Sequence, residues 1–337
     1  MKKTFILVII LLVVIFLLHL LSSSASAKDE RIVKTGGFVK DFVVEGNYAF
    51  VISDINFTDK SEFCVVDLAK ASKISQLIID GRASLIACEN SVCCAITETD
   101  NGNFLYVINT KNPNKPRLAQ KTSLDFERVN DIEISESSVF VLGYSGGIGC
   151  LKVLDAIGTR EFCILMDTFN CISVCGRYVF IGGKYDDVAT IEVYDMQTGN
   201  NWPMNVGFDM GLHIEDVMEI ESFDDSIILI GEKNGKTSLL VFSRGWNNPP
   251  EFRTGYYVPD ARMGKVKRDE DIIYTSSAVD GGGGYIDYFR LDVTGMGINK
   301  MERVKTIFTE SMPNSFGING EHLVYSSLDE IFIIDKS

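Results

Sequence analysis

Seven times along this chain one pattern returns: an apolar strand, a turn built from Gly, Asn or Asp, a second apolar strand, a loop, and a third strand ending near an Asp. The third strands close on Val65-Val66-Asp67, Val107-Ile108-Asn109, Val153-Leu154-Asp155, Val193-Tyr194-Asp195, Val241-Phe242-Ser243, Arg290-Leu291-Asp292 and Ile333-Ile334-Asp335, at spacings of 42, 46, 40, 48, 49 and 43 residues. Turns such as Gly46-Asn47, Cys175-Gly176-Arg177 and Asn319-Gly320-Glu321 precede the second strands and tolerate positive φ. No stretch after residue 28 sustains a helical apolar period with caps. A repeat of roughly 40–50 residues holding about four strands marks a propeller blade. One blade alone is a small sheet with two apolar faces. Stacking blades in a ring covers both, which accounts for the near-continuous apolar strands. The predicted fold is therefore all-β: a seven-bladed β-propeller of four-stranded blades, forming one domain over residues 28–337.

The last repeat, Phe316 to Asp335, supplies only three strands, while Glu30 to Gly37 precedes the first repeat and reads as a fourth. The expectation is that residues 30–36 complete blade seven beside residues 329–335 and so remove two sheet edges.

In blade two the repeat reads Phe104-Leu105-Tyr106-Val107-Ile108-Asn109-Thr110-Lys111-Asn112-Pro113-Asn114-Lys115-Pro116. This resembles the LVIVD-repeat β-propeller family, whose repeat runs Leu-x-Ile-Val-Asp-x-x-(Asp/Asn)-Pro-x-x-Pro. Blades one, three and four keep the strand and its Asp without the two prolines. In blade five Ser243 replaces the Asp, and Asn248-Pro249-Pro250 comes late. The resemblance implies a propeller fold and an exported bacterial or archaeal protein, and offers no catalytic residues to carry over.

The first 27 residues read as an address. Lys2 and Lys3 precede an apolar run from Phe5 to Leu18, extended past His19 by Leu20 and Leu21, and Ser22 to Ala27 follow. A positive start, an apolar core and a small-x-small site at Ala25 and Ala27 are the parts of a secretory signal peptide. The run is long for a signal core and short for a spanning helix, which needs about 20 residues. Cleavage after Ala27 is favoured, and an uncleaved anchor through residues 5–21 is the alternative. Both place the body outside the cytoplasm: periplasmic, extracellular, or tethered to the outer side of the cytoplasmic membrane.

Charge narrows the partners. The chain carries 32 Lys and Arg against 46 Asp and Glu, a formal charge of -14. Clustered cations are what phosphate backbones demand, so nucleic acid is not an expected partner. His occurs only at positions 19, 213 and 322, which removes most multi-histidine metal chemistry. No metal site and no cofactor are expected.

Motifs that look chemical have plainer readings. Gly143-Tyr144-Ser145-Gly146-Gly147 matches the Gly-x-Ser-x-Gly nucleophile pattern, but that chemistry needs a strand–turn–helix setting and here the Ser lies between strands. Asp280 followed by Gly281 to Gly284 has no Lys after its glycines and opens no helix, so it is no phosphate loop. Trp202 and Trp246 read as outer packing residues. Eight cysteines, at 64, 88, 93, 94, 150, 163, 171 and 175, all fall in blades one to four. Most replace apolar strand residues, so buried free thiols are expected, with Cys88 and Cys93 the pair best placed to bridge across a hairpin turn.

A propeller usually works at one mouth of its channel, where the loops entering the innermost strands gather. The candidate ligand-binding residues there are Arg82, Arg128, Asn130, Asn170, His213, Glu215, Asp216, Arg262 and Asn314. Arg82, Arg128 and Arg262 against Glu215 and Asp216 suit a polar or anionic ligand; a solvated rim with local ion pairs is the competing reading. The function expected is a monomeric binding or scaffold module for a protein or a small polar ligand. The alternative is an exported propeller hydrolase or lactonase acting at the mouth. If the leader is processed, N-terminal sequencing of the exported product will begin at Lys28; a product retaining Met1 leaves only the anchor.

Overall fold

The computed structural model describes residues 30–336 except 157, 207–213, 244–250, 259–261, 280–282, 295–296 and 310. Its strands form seven four-stranded antiparallel sheets arranged as a seven-bladed propeller. Blades one to six are built from consecutive strands over residues 38–80, 82–124, 128–163, 168–205, 216–258 and 262–309. Blade seven joins both ends of the chain. Ser315–Ile318, His322–Ser327 and Glu330–Asp335 are followed at the outer edge by Arg31–Lys34, in register from Arg31↔Ile333 to Lys34↔Glu330. Just past this pairing Thr35 donates its backbone N–H to the Asp329 carbonyl at 2.9 Å.

The apolar strands are explained by what separates the blades. Seven buried clusters occur, each spanning two neighbouring blades. Phe50, Phe63 and Tyr106 fill the gap between blades one and two, for example, and Val33, Val51, Cys64 and Ile331 the gap between blades seven and one. Both faces of each sheet are thereby removed from water.

Two local rules repeat. In blades one to five the inner strand bulges by one residue, at Lys40, Ser84, Asn130, Asn170 and Met218. The second-strand residue opposite the start of each bulge is small: Ser53, Thr97, Gly143, Gly183 and Gly231. A Cβ at Gly183 would lie 2.1 Å from the Thr168 carbonyl oxygen, so the backbone approach itself excludes a larger residue there. The second rule gives the recurrent Asp its purpose. Carboxyl or amide oxygens at the ends of the third strands accept from the turn that follows: Asp67 from Lys70 N at 3.0 Å, Asn109 from Lys111 N at 3.0 Å, Asp195 from Gln197 N at 2.9 Å. These Asx turns fix the passage to the outer strand. Ser243 takes the same place in blade five.

Ser145 ends a second strand, and Gly146 and Gly147, at φ of 60° and 75°, complete a hairpin turn. That is the turn reading rather than a nucleophile elbow. Trp202 lies in the outer strand of blade four, edge-on to Tyr178 at 6.2 Å; Trp246 lies outside the described residues. Cys88 and Cys93, the pair best placed to bridge, are bonded, with Cα atoms 4.1 Å apart, because they face each other one residue above a two-residue turn; the expectation of free thiols fails for these two. Cys64, Cys94, Cys150 and Cys171 are unbridged and buried, as their apolar positions imply.

Arg31–Lys34 pairs with one strand only, and Val33 is its one buried side chain. Deleting residues 28–38 is expected to uncover the edge of Glu330–Asp335 and to lower the melting midpoint by about 5–10 °C. Calorimetry of the truncated and full chains makes the comparison, and coincident transitions would show that the pairing contributes nothing to the ring.

Candidate functional site

Each inner strand has a sheet partner on one side only; its other edge looks into the central channel. Unpaired N–H groups along that edge need acceptors. The residues just past the bulges supply them. Asp41 Oδ2 accepts from Ile86 N at 3.2 Å and Asp131 Oδ2 from Ile172 N at 2.9 Å, each reaching the inner strand of the next blade. Two residues further in, Glu133 Oε2 accepts from Val174 N at 2.9 Å. Ser315 Oγ donates to Asp41 Oδ1 at 2.8 Å, which carries the series from blade seven to blade one. Between blades five and six the contacts become ion pairs: Lys265 Nζ to Glu219 Oε2 at 3.1 Å and Lys267 Nζ to Glu221 Oε2 at 2.8 Å.

These side chains line a cavity of about 360 Å³ on the channel axis, with Arg268 also on its wall. The wall is uneven. Carboxylates come from blades one, three and five, and cations from blade six. Burial pushes the Glu219 carboxyl up to about 7 in spite of the ammonium beside it. Burial also raises Asp131, and it lifts Glu133 well above the usual carboxylate range with Glu221 adding repulsion. Lys265 is held charged above its ordinary range by Glu219 chiefly, then Asp131 and Asp41.

Of the candidate residues chosen from sequence, the structure brings Asn170 and Asp216 into contact, and the other described ones lie at the starts of the inner strands or just before them. Arg82 and Arg128 are exposed at the starts of the inner strands of blades two and three. Arg262 pairs with Glu232 of the preceding blade at 2.8 Å, and Glu215 with Lys233 at 3.6 Å. Asn130 and Asn170 are the bulge residues themselves. Asn130 donates to the Phe169 carbonyl at 2.5 Å; Asn170 donates to Asp216 Oδ1 at 3.0 Å and to the Val217 carbonyl at 2.8 Å. Their amides join neighbouring blades. Burial raises the Asp216 carboxyl against the opposing effect of the Asn170 bond. Asn314 is exposed and ties its backbone N–H to the Ser326 carbonyl at 2.9 Å. His213 lies outside the described residues.

The channel charges were therefore missed by a search confined to loops. Their signal was present in the strands: Asp131-Ile132-Glu133, Glu219-Ile220-Glu221 and Lys265-Val266-Lys267 each put two charges on one face of an inner strand.

The rim has a second feature. Outer strands hand over to the next inner strand at one end of the ring, called here the entry face, and the hairpins joining second to third strands lie at the same end. Phe38, Phe57, Ile148, Leu165, Tyr185, Val279, Phe308, Met312 and Leu328 are exposed there. They gather into two arcs. The backbone bond from Val39 N to Leu328 O, at 2.7 Å, sets Leu328 beside Phe38. Ile164 N to Gly149 O, at 2.9 Å, and Asp167 N to Lys184 O, at 2.9 Å, bring Leu165 between the chain segments carrying Ile148 and Tyr185. On the opposite face the exposed large apolar side chains among the described residues are Val92 and Leu118.

No family model matches the chain, and no curated protein matches it in sequence. Solved structures do resemble it in fold. The WD40 domain of coronin from Toxoplasma gondii superposes with a TM-score of 0.63 at 9% identity, over 92% of this chain and 88% of that one. The Dos1 propeller gives 0.59 at 10%, over 90% and 94%. A Bacteroides uniformis protein provisionally described as a 6-phosphogluconolactonase gives 0.58 at 15%, over 80% and 85%. Likeness at such identities is likeness of fold.

The channel wall yields a pH test. Replacing Lys265 with Met removes the charge that opposes burial of Glu219 and Asp131. Their folded-state values then rise further above the unfolded ones, so the folded chain binds more protons and loses stability as pH rises. The variant is expected to melt about 5 °C or more below the native chain near pH 8, and much closer to it near pH 5. Equal deficits at both pH values would exclude a charge-based role for Lys265.

Proposed function

We propose that this chain is an exported binding or scaffold module that takes a protein partner on its entry face. The observation that carries the reading is the uneven distribution of exposed apolar side chains, gathered at that face and sparse on the other. Exposed aromatic and aliphatic anchors set among charged residues are how protein interfaces are built. Arg82, Arg128, Glu215 and Arg262 then act as rim groups that orient the partner, not as a pocket for a small ion. Fold neighbours such as the coronin WD40 domain agree with a binding role without assigning a partner.

Chain direction supports the same face. The outer strand Arg31–Lys34 runs toward the entry face, which puts Arg31 at the end nearer the opposite face. A tether through residues 5–21 would leave the entry face pointing away from the membrane, and cleavage after Ala27 would leave it equally free. The LVIVD resemblance adds support for export and none for catalysis. The hydrolase reading asks for an acid–base pair at liberty to react, whereas Glu219 and Glu221 each hold a lysine and Asp131 and Glu133 hold backbone N–H groups.

The test compares three forms as bait in an envelope extract: native chain, Leu165→Ser/Phe308→Ser/Leu328→Ser on the entry face, and Val92→Ser/Leu118→Ser on the opposite face. A partner retained by the native chain and the last variant, and reduced about tenfold by the first, is the expected result. Retention by all three alike would reject the entry face as the docking surface.

A further inference from the structure

Blade three contains a second cysteine pair in the geometry that the Cys88–Cys93 bridge uses. Cys150, in the third strand Ile148–Asp155, lies directly opposite Cys163, the last residue of the outer strand Gly158–Cys163. In an antiparallel ladder, opposed residues alternate between hydrogen-bonded pairs and closer, non-hydrogen-bonded ones. Ile164 N donates to Gly149 O at 2.9 Å, which makes 149/164 a hydrogen-bonded pair and 150/163 a close one. Cys88 and Cys93 have the same parity, being one step in from the turn-closing pair Glu89↔Val92. Directly opposed side chains project from the same face of a sheet, and close pairs put their Cβ atoms within the span of a disulfide.

We propose that Cys150 and Cys163 form a second cross-strand disulfide when the protein meets a low-molecular-weight disulfide such as oxidised glutathione. The two thiols differ in access, which sets the order of events. Cys163 is exposed, whereas Cys150 is packed in the interface between blades two and three. Burial pushes the Cys150 thiol up to about 12, with Glu161 and Cys163 adding to the shift, so Cys150 is the slower nucleophile. Cys163 thiolate attacks the glutathione disulfide, forms a mixed disulfide and releases one glutathione. Cys150 then loses its proton, attacks the Cys163 sulfur and expels the second glutathione. Two protein thiols lose two protons and two electrons; one glutathione disulfide gains them as two thiols.

The bridge would act where the fold is thinnest. Five of the six residues in Gly158–Cys163 are exposed and the sixth is only partly covered, so backbone bonds to the third strand are its main hold. Cys163 also leads directly into the connector that carries Leu165 on the entry face, so the bond would steady that arc.

The experiment equilibrates the full chain in a glutathione buffer, traps remaining thiols with an alkylating agent in denaturant, and digests with trypsin without reduction. The expected product is peptide 129–152 joined to peptide 161–177, lighter by two hydrogens than the sum of the two. Because the second peptide also holds Cys171 and Cys175, the link should vanish in Cys163→Ser and persist in Cys171→Ser. The oxidised native chain is expected to melt about 5 °C above the reduced one by more than Cys163→Ser does under the same change. Cys88–Cys93 serves as the internal control for oxidation. Alkylated Cys150 in a sample where that control is bridged, a link from Cys150 to Cys171, or glutathione left on Cys163 at equilibrium would each overturn the proposal.

Discussion

The structure depends on blades burying each other's faces. A four-stranded sheet of this composition leaves two apolar surfaces in water, and no helix is available among the described residues to cover either one. Seven interfaces, each with its own buried cluster, solve this only if every blade has a neighbour on both sides. That requirement explains why the first and last segments of the domain meet in one sheet. Leaving blade seven one strand short would take Val33 away and expose the edge of Glu330–Asp335 beside Ile331 and Ile333, all three of which belong to the cluster shared with blade one.

Packing by apolar area has no means of treating the axis, where inner strands converge and turn a bare edge toward the channel. Here the chain uses polar side chains. Asp41, Asp131 and Glu133 accept from the backbone of the following blade, and Glu219 and Glu221 find lysines in place of backbone donors. The bulge makes this possible, because one extra residue re-aims the side chain after it toward the neighbour. Charges that face a cavity would ordinarily suggest a ligand site. In this channel they are committed to the joints between blades.

Much of the fold was readable in advance because a propeller repeats. The spacing of the third-strand ends, the Asp that caps each turn, and the three-strand remainder at the C-terminal end of the domain are one-dimensional signals, and each reflects a local physical need. The channel was less legible. Asp131, Glu219 and Lys265 look like the solvent face of an edge strand until the ring is closed, because the alternation of a strand says which residues share a face and not what that face meets. Asn130 and Asn170, read from sequence as mouth residues, sit in bulges that a loop reading does not show, and donate their amides to neighbouring blades. The cysteines divide along the same line. Cys88 and Cys93 flank a two-residue turn whose length fixes their register. Cys150 and Cys163 meet five ladder steps away from the turn-closing pair Asp155↔Gly158, where only the folded register reveals them.

The two faces of the ring differ in the connections they carry, and the direction of the chain sets which connection lies on which face. Turns between inner and second strands, such as Asn90-Ser91 and Glu136-Ser137, are two residues long and hold both in left-handed backbone. The entry face holds the passages from blade to blade, of which the stretch from Cys163 to Thr168 is one. Its side chains are released from the ladder and can be apolar without disturbing a strand. Phe57 and Leu165 are exposed there at no cost to any buried cluster, while equivalent exposure of a residue facing a neighbouring blade would empty an interface. A surface of that kind is what the fold can vary freely while the seven interfaces remain devoted to holding the ring.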